Sequence, residues 1–146
     1  MHQIIRRLFL GDMVDAGRYD SRGMHILCVL WDGEPGRSPG SDHIATTGHI
    51  GLDTYAIPEK MDEAADWIHA RLSKDEAVLV HCAYGIERSP LTIVWYLMRY
   101  QGMNLKHAYD LVQHRRPEAA YRGAWLPVSV TITGELPART QLETCP

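Results

Sequence analysis

The sequence predicts an α/β fold: a single domain with a central, mainly parallel sheet flanked by helices. Three observations carry this expectation. Ile26-Leu27-Cys28-Val29-Leu30 and Ala77-Val78-Leu79-Val80 are short continuous apolar runs, the pattern of strands covered on both faces. Met61, Ala64, Ala65, Ile68 and Leu72 repeat at helical spacing between those two runs, as a covering helix does. The chain has 146 residues, 45% of them hydrophobic, which is the size and composition of one domain whose core needs no disulfide or metal staple.

Taken in order, the first apolar run gives a strand, and Gly33 to Ser41, rich in Gly, Pro and Ser, gives a loop. Pro58 suits the first turn of the amphipathic helix that carries Met61 to Leu72. After the second strand, LTIVWYLM (91–98) is apolar nearly all round and is stopped by Gly102, so it reads as a buried central helix. Asn104 looks like an N-cap for a further helix with Leu105, Ala108, Leu111 and Val112 on one face, which Pro117 prevents from continuing. From Val128 to Pro146 the weak alternation of VSVTI leaves two readings open, an added strand or a loose tail. We find no internal repeat, and residues 1–146 read as one domain with 128–146 as a C-terminal extension.

Fifteen Lys and Arg against 18 Asp and Glu give a net charge of −3, which removes the usual electrostatic reason for binding nucleic acid. Arg6-Arg7 and His114-Arg115-Arg116 read as solvated surface. No apolar run approaches the roughly 18 residues of a membrane span. The start MHQIIRRLFLGD is too short and interrupted for a signal peptide. The three cysteines, Cys28, Cys82 and Cys145, are odd in number and form no CxxC pair, which argues against a disulfide framework and a zinc ribbon. The expectation is a cytoplasmic protein without metal, cofactor, membrane or nucleic-acid partner. Cys28 reads as core packing, and Cys145 as an incidental free thiol.

The chemistry concentrates at His81-Cys82-Ala83-Tyr84-Gly85-Ile86-Glu87-Arg88-Ser89-Pro90, between the second strand and the buried helix. A short loop entering a helix can turn its N–H groups toward a common centre, where the helix dipole also favours an anion. Gly85 permits the turn, and Arg88 adds a planar fork suited to two phosphate oxygens. Cys82 at the mouth of this positive cup is favoured as thiolate, the form a nucleophile needs, and Ser89 can place a hydroxyl near its sulfur.

HCAYGIERS matches the HC(x)5R(S/T) signature of the cysteine-dependent protein tyrosine phosphatases. LFLGDMVDAG, ILCVLW, IGLDTYAIP and SPLTIVWYLMRYQGMNLKHAYDLVQHRRP, in this order, resemble the compact dual-specificity phosphatases over about Gln3 to Pro127. The resemblance implies a protein tyrosine phosphatase-like fold and phosphomonoester hydrolysis through a phosphocysteine. In that scheme Cys82 is the nucleophile, residues 82–88 and Arg88 hold the phosphate, and Ser89 eases departure of the sulfur. The family supplies its general acid from an Asp in a loop about 30 residues before the nucleophile. Asp53, 29 residues before Cys82 and just after His49-Ile50-Gly51-Leu52, takes that place. Glu59, Asp62 and Glu63 read as the charged first turn of the helix after Pro58, with Glu59 and Asp62 next in line as the acid. His81 either orients the loop, as the resemblance implies, or is a satisfied buried polar residue.

The implied substrate is a phosphorylated protein or peptide, with inorganic phosphate and other oxyanions as active-site ligands. A phosphatase of small molecules, lipids or RNA ends is the alternative, and a catalytically silent phosphate-binding module a more distant one. Two features depart from the family pattern. Tyr121-Arg122-Gly123-Ala124-Trp125 has Arg122 where many relatives have Asn, which puts loop support from that position in doubt, and Glu87 is acidic within the loop and is expected to point to solvent. With no basic residue from Ala83 to Glu87, a preference for singly phosphorylated aryl groups is expected, with Tyr55 or Tyr84 as pocket walls.

Overall fold

In the computed structural model, which describes residues 1–19 and 23–139, the run at 78–81 forms the middle of the sheet. The elements among the described residues are β1 (His2–Ile5), β2 (Leu8–Gly11), α1 (Met13–Tyr19), β3 (His25–Cys28), β4 (Asp42–His43), β5 (Thr47–Ile50), β6 (Asp53–Ala56), α2 (Pro58–Leu72), β7 (Val78–His81), α3 (Arg88–Tyr100), α4 (Leu105–Arg115) and α5 (Val128–Thr133), with a 3-10 turn at Gly123–Trp125. The main sheet has the order β1-β2-β7-β3-β4. Its β2–β7, β7–β3 and β3–β4 pairings are parallel, and only the β1–β2 hairpin is antiparallel.

Alternation along β7 feeds two layers. Val78 and Val80 join the larger core with Met61, Leu91, Trp95 and Tyr109 from α2, α3 and α4, whereas Leu79 meets Ile26 and Ala16 of α1. A strand buried on both faces must be apolar throughout, which is why this run does not alternate with polar residues. Helix α3 is buried from Ser89 to Met98, as its continuous apolar sequence predicts. Pro58 is the first residue of α2, and Asn104 caps α4 by accepting from the His107 N–H at 2.8 Å. No helix among the described residues is long and apolar enough to cross a membrane.

Residues 128–133 are neither an added strand nor a loose tail. They form α5, which begins after Pro127 and ends at Gly134 in a left-handed cap (φ 73°). The Leu105 N–H donates to the Gly134 carbonyl at 2.7 Å and Val130 is buried, so docking on α4 overrides the β-propensity of the run VSVTIT. Cys145 lies outside the described residues. Asp62 also departs from expectation, because it is buried beneath α3, where it accepts from Trp95 Nε1 at 2.8 Å and Arg99 Nε at 3.0 Å. Arg6 stays on the surface, paired with Asp75 at 3.1 Å.

Candidate active site

The loop from Cys82 to Glu87 leaves the C-terminal end of β7 and enters α3. Five successive carbonyls are tied to groups outside the loop's centre. Cys82 O accepts from His81 Nδ1 (3.0 Å), Ala83 O from the Met13 N–H (3.2 Å), Tyr84 O from Arg116 Nη2 (3.1 Å), Gly85 O from Arg116 Nε (2.7 Å) and Ile86 O from the Ala120 N–H (2.8 Å). In a planar trans peptide the N–H points opposite to the C=O. Holding these carbonyls outward therefore turns the amides of residues 83–87 toward one centre, at the N-terminus of α3, which is an anion-binding arrangement. Gly85 is required twice. Its φ is 68°, and a Cβ there would lie 2.6 Å from both the Gly11 carbonyl oxygen and Arg116 Nη2.

At the rim, Cys82 is 2% exposed and its Sγ lies 3.1 Å from Ser89 Oγ. Arg88 opens α3 and donates from Nη1 and Nη2 to the Glu34 carboxylate at 2.7 and 3.1 Å, with the Trp31 ring 4.5 Å from its guanidinium carbon. Glu34 also accepts from the Trp31 N–H at 3.0 Å. The bonds from Arg88 hold its carboxyl below the ordinary glutamate range, against the opposing effect of burial. Glu34 takes two of the five donors of the guanidinium, which leaves donors for an anion. Cys82, Tyr84, Ile86, Glu87 and Arg88 line a cavity of about 70 Å³. Tyr84 is thus a wall of it, while Tyr55 instead lies across Gly48 on the β5–β6 hairpin.

His81 is fully buried. A carbonyl can only accept, so Nδ1 carries the proton it shares with Cys82 O. Burial pushes the imidazole pKa down, which keeps the ring neutral. Its Nε2 has no hydrogen-bond partner among the described residues.

Asp53 does not sit in an open loop. It starts β6, opposite Ile50, at the tip of the β5–β6 hairpin, and is exposed. Residues opposed across a ladder share a face, so Thr47 and His49 lie on one side with Ala56 and Thr54, and Asp53 and Tyr55 on the other. Trp31 packs on the first side: its Nε1 donates to Thr47 Oγ1 at 3.1 Å and its ring lies 4.2 Å from that of His49. Cys82, Ser89 and Arg88 are together, and the hairpin meets Trp31, beside Arg88, through Thr47 and His49. Glu59 is exposed in the first turn of α2, and Asp62 is occupied by Trp95 and Arg99.

Glu87 is half-exposed and does not simply face solvent. Its Oε2 accepts from Arg122 Nε at 2.7 Å and lies 2.6 Å from Arg122 Nη2. Arg116, read as surface, is 4% exposed and holds the loop. Arg116, Glu34 and His49 were not legible as site residues. The only sequence cue for the first is its place in a basic pair before Pro117, and nothing in the spacing pairs residue 34 or 49 with 88.

The family described as the dual specificity phosphatase catalytic domain matches residues 46–125. Dual specificity protein phosphatase 1B of Arabidopsis thaliana is 40% identical over 130 residues, covering 82% of this chain and 73% of that protein. MAP kinase phosphatase with leucine-rich repeats protein 3 of Dictyostelium discoideum is 33% identical over 120 residues, which are 80% of this chain and 14% of that protein. The chain spans a similarly small part, 28%, of dual specificity protein phosphatase 14 of Mus musculus, to which it is 45% identical over 56 residues. In fold it is similar to human DUSP28 (TM-score 0.71, 22% identity, 92% of this chain and 95% of that one). It is also similar to a mouse putative dual specificity phosphatase solved with zinc tungstate (TM-score 0.72, 21% identity, 92% and 85%).

Proposed function

The chain belongs to the dual-specificity phosphatase family, whose members are cysteine-dependent phosphoric monoester hydrolases, and on that premise we propose that residues 82–89 carry this reaction. The observation that supports the reading most is the set of five outward-tied carbonyls, because it aims the loop amides at one point beside both Cys82 Sγ and Arg88. The Cys82 thiolate attacks phosphorus in line with the leaving oxygen. A P–S bond forms as the P–O bond breaks, while the loop amides and Arg88 hold the equatorial oxygens. Glu34 and Trp31 keep the Arg88 fork oriented. Asp53 protonates the leaving oxygen, then takes a proton from the water that attacks the phosphocysteine, and the Ser89 hydroxyl stabilises the departing thiolate. A second reading gives the proton transfers to His49, favoured by the tilted contact of its ring with Trp31 beside Arg88.

A phosphorylated protein or peptide is the substrate class we infer, with phosphotyrosine first and phosphoserine or phosphothreonine following. The small cavity beside exposed Tyr84 supports an aryl phosphate, whose ring can rest on that wall. Glu87 gives less discrimination against polyphosphorylated substrates than its bare charge implies, because Arg122 neutralises it. The free thiols Cys28 and Cys82 support a reducing, cytoplasmic setting. A steady-state panel of phosphopeptides, phosphoinositides, nucleotides and RNA 5′ ends tests the class. The reading requires phosphotyrosyl peptides to give the highest kcat/KM, and a lipid or RNA end in first place would overturn it.

A further inference from the structure

Each of the residues Tyr84, Gly85, Ile86 and Glu87 is held by one short stretch of chain, residues 116–122. The first three are held by their carbonyls. Glu87 alone is held by its side chain, and its partner Arg122 contributes nothing else to the cavity. Arg122 is itself well rooted. Its N–H donates to the buried Tyr109 hydroxyl at 3.2 Å, and its guanidinium lies 5.4 Å from the centre of the Trp125 ring.

We propose that Arg122 is a positioning residue for the phosphate site, acting through Glu87 by holding its carboxylate aside from Arg88 and from the bound anion. The inference rests on residues 82–88 being the phosphate loop. Glu87 adjoins Arg88 in sequence and lines the same cavity, so an unpaired carboxylate there would compete with phosphate for the Arg88 fork and repel a dianion. With Arg122 in place, the acidic residue of the loop instead becomes a sixth tether, added to the carbonyl contacts of Cys82, Ala83, Tyr84, Gly85 and Ile86. Both side chains of the pair are about two-fifths exposed, and such a pair adds little to global stability. Its effect is therefore read in anion affinity and not in the melting temperature.

The test measures kcat, KM and inhibition by inorganic phosphate for the full chain on an aryl phosphate, with a thermal melt for every variant. Arg122→Ala should raise KM and the phosphate inhibition constant by about tenfold to thirtyfold, less than the bare interaction of a charge with a dianion at an effective dielectric of 20 because solvent screens the half-exposed carboxylate. The melting temperature should change little, and Arg122→Lys should restore most of the loss. The decisive arm is Glu87→Gln in the Arg122→Ala background, which should recover most of the lost affinity because the freed carboxylate is gone. An Arg122→Ala variant with a lowered melting temperature and unchanged KM, or one that Glu87→Gln does not rescue, would overturn the proposal and leave Arg122 a packing residue. Cys82→Ser, run in the same assay, separates the two readings. Turnover surviving in it would refute the loop as the site, whereas its loss with unchanged Arg122 variants refutes the positioning role alone.

Discussion

Arg116 Nε donates to the Gly85 carbonyl at 2.7 Å, so the turn at the centre of the loop is fixed by a side chain 31 residues further along the sequence. The same guanidinium reaches Tyr84 O and His2 Nδ1, and it is 4% exposed.

Arg116→Met should therefore leave two loop carbonyls without their partner, at a cost of about 2–4 kcal/mol on the scale of unsatisfied buried acceptors. Denaturant unfolding should show a lower midpoint at unchanged slope. Arg116→Lys keeps the charge and loses the fork, and kcat/KM should fall by about a hundredfold because the loop amides lose their aim. Wild-type activity in Arg116→Lys would separate the turn from the guanidinium that holds it.

Glu34→Gln removes the carboxylate that orients Arg88 and should lower kcat/KM by about tenfold, the scale of one charge-assisted hydrogen bond. Since Arg88 holds the Glu34 carboxyl below its usual 4.5, the wild-type pair is intact above that value and is lost only as pH falls through the depressed one. The loss in Glu34→Gln should then be constant from about pH 5 to 8. A loss that vanishes toward the acid end would mean that Glu34 titrates in the working range.

Asp53→Asn and His49→Gln decide which residue protonates the leaving oxygen. A general acid matters most for poor leaving groups, so the correct variant loses about a hundredfold on an alkyl phosphate and much less on an activated aryl phosphate. The reading in favour of Asp53 predicts this split in Asp53→Asn. The split appearing in His49→Gln, with Asp53→Asn unaffected, would assign the step to the histidine packed against Trp31.

Buried neutral His81 makes stability depend on pH. A folded-state pKa below the ordinary 6.5 means that its contribution is full above about 6.5 and is lost as pH falls toward the folded value, because unfolding then releases a ring that takes up a proton. Melting temperatures of the wild type should drop below about pH 6.5 more steeply than those of His81→Asn, whose amide can still donate to the Cys82 carbonyl. Parallel curves for the two proteins would remove His81 from this role.

How much of this was legible in the sequence depended on whether the information was local. The strands in the runs 26–30 and 77–80, observed at His25–Cys28 and Val78–His81, the helix starting at Pro58, the cap at Asn104 and the loop 82–87 between strand and helix are written in contiguous residues. Helix α5 was misread because the preference of VSVTIT for a strand is weak compared with what it gains by burying Val130 in the core and tying Gly134 to the start of α4. The contacts that Arg116, Arg122 and Glu34 make were not legible because each acts on a partner 31 to 54 residues away, a distance that no periodicity encodes. The pairing of Glu87 with Arg122 is instructive: two departures from the family pattern, each puzzling alone, meet each other in the fold.

Rapid acid quench of the enzyme during turnover, followed by peptide mapping, tests the proposed phosphocysteine at Cys82 most directly. A phosphoryl group is expected on the peptide that carries Cys82 and not in Cys82→Ser, and that variant should retain phosphate affinity within about tenfold, because the loop amides and Arg88 make the binding contacts. Phosphate release continuing in Cys82→Ser, or the phosphoryl group appearing on another residue, would contradict it.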